Sequence, residues 1–125
     1  MTNRKQTLAS EVLAAMEARN WSLATAESCT GGGVGQALTA VPGSSKTYRG
    51  GIISYTNSVK SGLLGVPETL LRELGAVSGP VAEAMAQGAR EAVSADVAVS
   101  TTGLAGPGGD EFGNPVGTVW IGCAW

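Results

Sequence analysis

Thr25-Ala26-Glu27-Ser28-Cys29-Thr30-Gly31-Gly32 is the stretch on which the reading of this chain turns. It follows a short apolar run, Trp21 to Ala26, and precedes a helix-like stretch, Val34 to Val41. A strand that enters a glycine-rich turn and then a helix presents that turn at the sheet's carboxyl edge, where α/β proteins bind ligands. Ser28, Thr30 and the backbone N–H groups of Gly31 to Gly33 are expected to face that edge. A hydroxyl beside a helix N-terminus suits an anion or a developing oxyanion. The chain has no histidine. A Ser-His-Asp triad is therefore excluded, and a serine nucleophile needs another base, lysine being the usual substitute.

Working outward, Leu8, Val12, Leu13 and Met16 recur at helical spacing and predict an amphipathic helix over residues 5–19, stopped by Asn20. Residues 21–27 read as the first strand and 33–41 as a short helix closed by Val41-Pro42-Gly43. Between Lys46 and Thr56 the β-formers Tyr48, Ile52, Ile53 and Tyr55 mark a second strand, with Gly50-Gly51 as a bulge. Asn57 is expected to cap a helix carrying Lys60, Leu63 and Leu64. Pro67 is expected in the first turn of another, ending at Gly75. Ser78 is expected to cap a long helix whose face is Val81, Met85, Ala89 and Ala92. Asp96 to Thr101 reads as a strand buried on both faces. A Gly/Pro loop, Gly103 to Pro115, leads to a last strand from Val116 to Trp125, apolar enough to be expected buried. Helices alternating with strands predict one α/β layered domain on a mostly parallel sheet.

Composition narrows the function. The 125 residues suffice for one domain with a real core, and the 19 glycines cluster in turns rather than in a repeat. Net charge is −2 and the eight Lys and Arg are scattered. That speaks against a nucleic-acid binder, which normally shows a basic stripe. No apolar run approaches the ~20 residues of a membrane span, and Met1 to Arg19 lacks a signal-peptide pattern. Cys29 and Cys123 have no metal spacing and read as reduced thiols of a cytoplasmic protein. Cys29 is the rival nucleophile, although in a continuing strand it would point away from Ser28.

Three constellations carry the candidate chemistry: Ser28 with its glycine turn; Ser54-Tyr55-Thr56-Asn57 with Lys60; and Thr101-Thr102-Gly103-Leu104-Ala105-Gly106-Pro107-Gly108-Gly109. Each has a bland reading, respectively a helix cap, a solvated surface lysine and a flexible connection. The third is not a Walker loop, because Lys and Ser/Thr do not follow its last glycine. Together they set hydroxyl- or glycine-rich tips after three successive strands on one sheet edge, which points to a small-molecule site.

These stretches, with Val41-Pro42-Gly43-Ser44-Ser45, Leu64-Gly65-Val66 and Gly75-Ala76-Val77-Ser78 between them, resemble in order the CinA C-terminal domain family. The resemblance implies a three-layer α/β/α sandwich on a mixed, mostly parallel sheet. It also implies hydrolysis of the carboxamide of nicotinamide mononucleotide, releasing ammonia and leaving nicotinate mononucleotide. Carried over by motif, its functional positions fall on Ser28, Ser45, Tyr55, Lys60 and Thr102. Ser28 or Ser45 would attack, Lys60 would be the base, and Tyr55 and Ser45 would relay protons or orient Lys60. Thr30, Gly31, Gly32, Thr102, Gly103 and Gly106 would hold a nucleotide substrate. No metal or cofactor is implied, and a homodimer is. The family domain also implies a further strand, a helix and a substrate-contacting arginine beyond residue 125. The rival reading is a non-catalytic nucleotide-binding or interaction module linked to competence.

Overall fold

The computed structural model describes residues 4–125. Among them the chain runs α1 (Arg4–Ala18), β1 (Leu23–Glu27), α2 (Gly33–Thr39), a 3-10 turn at Ser44–Lys46, β2 (Tyr48–Ile53), α3 (Asn57–Leu64), α4 (Glu68–Leu74), α5 (Gly79–Val93), β3 (Val97–Gly103) and β4 (Val119–Ala124). The sheet order is β2-β1-β3-β4. β1 pairs in parallel with β2 and β3, and β3 pairs antiparallel with β4. The register of β2 on β1 shifts between Leu23 and Ala24, skipping Arg49, next to the glycine pair that predicts a bulge.

Side-chain alternation sorts β1 between two layers. Ala24 and Ala26 enter one core with Leu64, Leu71, Val81 and Met85 of the helices α3 to α5. Leu23 enters the other, with Ala9 and Leu13 of α1, Leu38 of α2 and Val97 of β3. All five residues of β1 are buried, as a central parallel strand covered on both faces must be. Alanines on the α5 side let that helix lie close. Val81, Ala82, Met85, Ala86 and Ala89 form its buried stripe. Where α3 crosses α5, a Cβ on Gly88 would fall on the carbonyl of Leu64.

The helix after β1 packs on one face and those after β2 on the other. Connections leaving adjacent strands to opposite faces open a crevice at the strands' carboxyl ends, and Ser28 and Lys60 stand there.

Several local expectations are corrected. Thr56, not Asn57, occupies the cap position of α3, and Pro67 sits just before α4 rather than inside its first turn. Ser78 occupies the cap position of α5, but its hydroxyl donates back to Gly75 O instead of capping the helix. Ala92 is exposed, because the stripe of α5 ends at Ala89. In β4 only Gly122 is buried; Ile121 is 74% exposed, and Trp125, just past the strand, is 80% exposed. The reason is position: β4 is an edge strand, its Trp120 and Gly122 meet α5 at Gly79 and Ala82, and among the described residues α5 is the helix that packs on it.

Candidate active site

Ser28 is the first residue past β1, and its N–H donates to Thr101 O of β3 at 3.0 Å. The alternation that sends Ala24 and Ala26 toward α5 sends the Ser28 side chain the same way. Lys60 lies in the first turn of α3, with its N–H on Thr56 O. Its side chain is only 1% exposed. Its Nζ sits 3.0 Å from Ser28 Oγ, 2.9 Å from Ser54 O and 3.0 Å from Tyr55 O. Burial lowers the pKa of Lys60 below its ordinary 10.5, against a smaller opposing pull from Cys29. Carbonyl oxygens only accept, so two N–H groups of Lys60 go to Ser54 and Tyr55. In the neutral amine these are all the protons there are, and the lone pair is left for the Ser28 hydroxyl.

The pair opens into a cavity of about 540 Å³ that Cys29, Tyr55, Thr102, Gly103 and Gly106 also line. Thr102 is buried, and its hydroxyl donates to Ala76 O at 2.7 Å, fixing the Gly75–Val77 segment against β3. The loop before β4 closes the cavity from the far side. Asp110 accepts the N–H groups of Phe112 and Asn114, and the Asn114 amide donates to Val77 O. The Asn114 amide, which also donates to Asp110 Oδ2 at 2.7 Å, and the two backbone N–H groups together outweigh the cost of desolvation and hold the Asp110 carboxyl below its usual range. Phe112 lies over Gly75, where an added Cβ would strike its ring.

Glu27 directly precedes Ser28, so strand alternation directs its side chain to the opposite face of the sheet. It does point that way. Its buried carboxylate accepts the Thr30 hydroxyl at 2.6 Å and the N–H groups of Gly32, Val34 and Gly35 at 3.2, 2.9 and 2.9 Å. Burial alone would raise its pKa, but the Thr30 hydroxyl and the three amides outweigh that and hold it below 4.5. The expectation that Gly31 and Gly32 offer free amides to a ligand is thereby corrected. Gly31 N–H is on Ser28 O, Gly33 N–H on Thr30 O, and Gly32 N–H on Glu27. Thr30 turns from the cavity as well, bonding Glu27 and Thr101. Among the described residues, the turn amides left without an acceptor in the chain are those of Cys29 and Thr30. A carboxylate one position before the serine, followed by glycines at a helix start, is the signal that would have revealed this.

Ser45 is exposed in the turn before β2, whose first residue pairs with Leu23 at the start of β1. It therefore sits at the opposite sheet edge from Ser28. Tyr55 is 72% exposed, and it is its carbonyl that touches Lys60. Cys29 does not point away from Ser28, because β1 stops at Glu27 and the turn brings the thiol to the cavity wall beside Gly103. Both cysteines are free thiols. Among the described residues no group of three or more His, Cys, Asp or Glu is placed to hold a metal, and no helix is long and apolar enough to cross a membrane.

Fold and site together define an α/β domain with a buried serine–lysine pair in a crevice at the carboxyl edge of its sheet. The chain belongs to the CinA C-terminal domain family, whose model matches residues 5–125. It is 56% identical over 112 residues to a CinA-like protein of Synechococcus sp. strain RCC307, covering 90% of this chain and 27% of that protein. The chain thus spans about a quarter of the length of the curated relatives it matches. Among solved structures it is similar to the competence damage-inducible protein A of Klebsiella pneumoniae, with TM-score 0.92, 39% identity, and 95% of this chain and 74% of that one covered. A competence-damaged protein (CinA) superfamily protein of Escherichia coli superposes with TM-score 0.93 at 38% identity, over 98% and 73% of the two chains.

Proposed function

We propose that this domain hydrolyses a carboxamide by serine–lysine catalysis, and that its substrate is nicotinamide mononucleotide. The observation that carries the reading is the buried amine of Lys60, 3.0 Å from Ser28 Oγ and tied to two carbonyls. Lys60 takes the Ser28 proton as the oxygen attacks the amide carbon. The tetrahedral oxyanion falls to the free amides of Cys29 and Thr30 rather than to those of Gly31 and Gly32. Lys60 then returns the proton to the leaving nitrogen, ammonia departs, and water hydrolyses the acyl-enzyme to release nicotinate mononucleotide. Gly103 and Gly106 shape the substrate side of the cavity, and Thr102 acts on it through Ala76. The working compartment in this reading is the cytoplasm.

We also propose that the chain pairs as a homodimer, for which Ile121 on the outer strand and Trp125 just after it give exposed apolar surface. Sedimentation at micromolar concentration tests that separately.

The activity is tested by incubating the chain with nicotinamide mononucleotide and measuring ammonia and nicotinate mononucleotide, which should appear one to one. Tight binding with no turnover would overturn the hydrolase and favour a nucleotide-binding module.

A further inference from the structure

Glu27 is a buried ionised group that the chemistry proposed above does not use. Its carboxylate occupies the amide of the cap residue Gly32 and those of Val34 and Gly35 in the first turn of α2, the groups that would otherwise make a helix N-terminus attract an anion. A negative ligand therefore meets a neutralised helix end there. Glu27 is instead connected to both members of the reactive pair. Its side chain grips Thr30, and the Thr30 hydroxyl bonds that of Thr101, whose carbonyl in turn accepts the Ser28 N–H. Its own carbonyl accepts the Ser54 N–H at 2.7 Å and the Ser54 hydroxyl. The Ser54 carbonyl then receives Lys60.

We infer that Glu27 is the positioning residue of this site, holding the Ser28 turn in register with the Ser54 segment that carries the Lys60 amine. It touches no reacting atom. Its effect reaches the chemistry through geometry: with the carboxylate in place, the turn bends after Ser28 so that the Cys29 and Thr30 amides stay free. Replacing Glu27 by Gln keeps an oxygen for Thr30 but sets an NH2 group against the Gly35 N–H, a donor facing a donor. The turn must shift, and an ångström of misplacement costs a reactive pair heavily. The inference rests on the Ser28–Lys60 reading of the site, though not on the identity of the amide.

The test compares the parent chain with Glu27→Gln, Thr30→Val and Thr30→Ser. Three quantities are read: the rate at which p-nitrophenyl acetate acylates Ser28, kcat and KM for nicotinamide mononucleotide, and the melting temperature. In Glu27→Gln, acylation and kcat should fall by about tenfold or more while KM stays within about twofold, in protein still folded at the assay temperature. Thr30→Val should lose part of the rate and Thr30→Ser should recover it, which keeps the test open if Glu27→Gln does not fold. A lowered melting temperature with an unchanged acylation rate per folded molecule would make Glu27 merely structural and overturn the inference. So would a raised KM with kcat intact. If the parent acylates at Ser28 but releases no ammonia, the amidase reading fails, and Glu27 is still judged by the acylation rates. If Ser28 never acylates, both fall.

Discussion

Lys60 Nζ and Ser28 Oγ meet at 3.0 Å from different connections of the sheet, one after β1 and one at the start of α3. Neither is an exposed surface group: Ser28 is 6% and Lys60 1% exposed. The contact holds because a lysine buried with two carbonyls can shed its charge, whereas an isolated buried ammonium would be expelled.

Activity should rise with pH. Burial sets the Lys60 pKa below 10.5, and the reactive form is the neutral amine. The rising limb of kcat against pH should therefore have its midpoint below 10.5. Lys60→Arg, which keeps the charge and does not deprotonate, should lose at least about a hundredfold in kcat while leaving binding largely intact. A steady-state pH profile of both proteins checks this.

The same shift predicts a stability slope. A lysine whose folded pKa is lowered binds fewer protons folded than unfolded, so its destabilising effect is full below the folded value and fades as pH rises toward 10.5. Urea unfolding of the parent should show stability rising with pH across that window relative to Lys60→Met, which lacks the titrating group. Parallel curves for the two proteins would contradict the burial argument.

Ser45→Ala should retain full activity, because the hydroxyl is exposed at the far edge of the sheet from Ser28. A drop of tenfold or more in kcat/KM would return Ser45 to the candidate site and require a large rearrangement of the turn before β2.

Gly88→Ala should destabilise the chain by about 1–3 kcal/mol, since the added Cβ lands on the Leu64 carbonyl at the crossing of α3 and α5 and overpacks it. Because α3 carries Lys60, activity should fall along with the denaturation midpoint, read in the same urea series.

Most of the architecture was legible in the residues. The order of helices and strands follows from periodicity and glycine punctuation, and the residues at positions 28, 60 and 102 stand at tips of one sheet edge. Edge effects were harder to read. Val119 to Trp125 has the composition of a buried strand, yet its place outside β3, with α5 packed on it, is set by topology rather than by its own side chains. The glycine turn misled in a different way. Gly31 and Gly32 looked like a ligand cradle because a turn's amides look free until their acceptor is known, and the acceptor is Glu27, reaching around from the opposite face. Ser45 rests on a motif alone, and a motif does not say at which end of a strand its residue lies.

The most direct measurement is peptide mass spectrometry of the chain quenched during turnover of nicotinamide mononucleotide. The account predicts an adduct with the mass of the substrate acyl group on the peptide containing Ser28, confirmed at that residue by fragmentation and lost in Ser28→Ala together with ammonia release. Turnover that continues in Ser28→Ala, or an adduct on Cys29 or Ser45 instead, would contradict it.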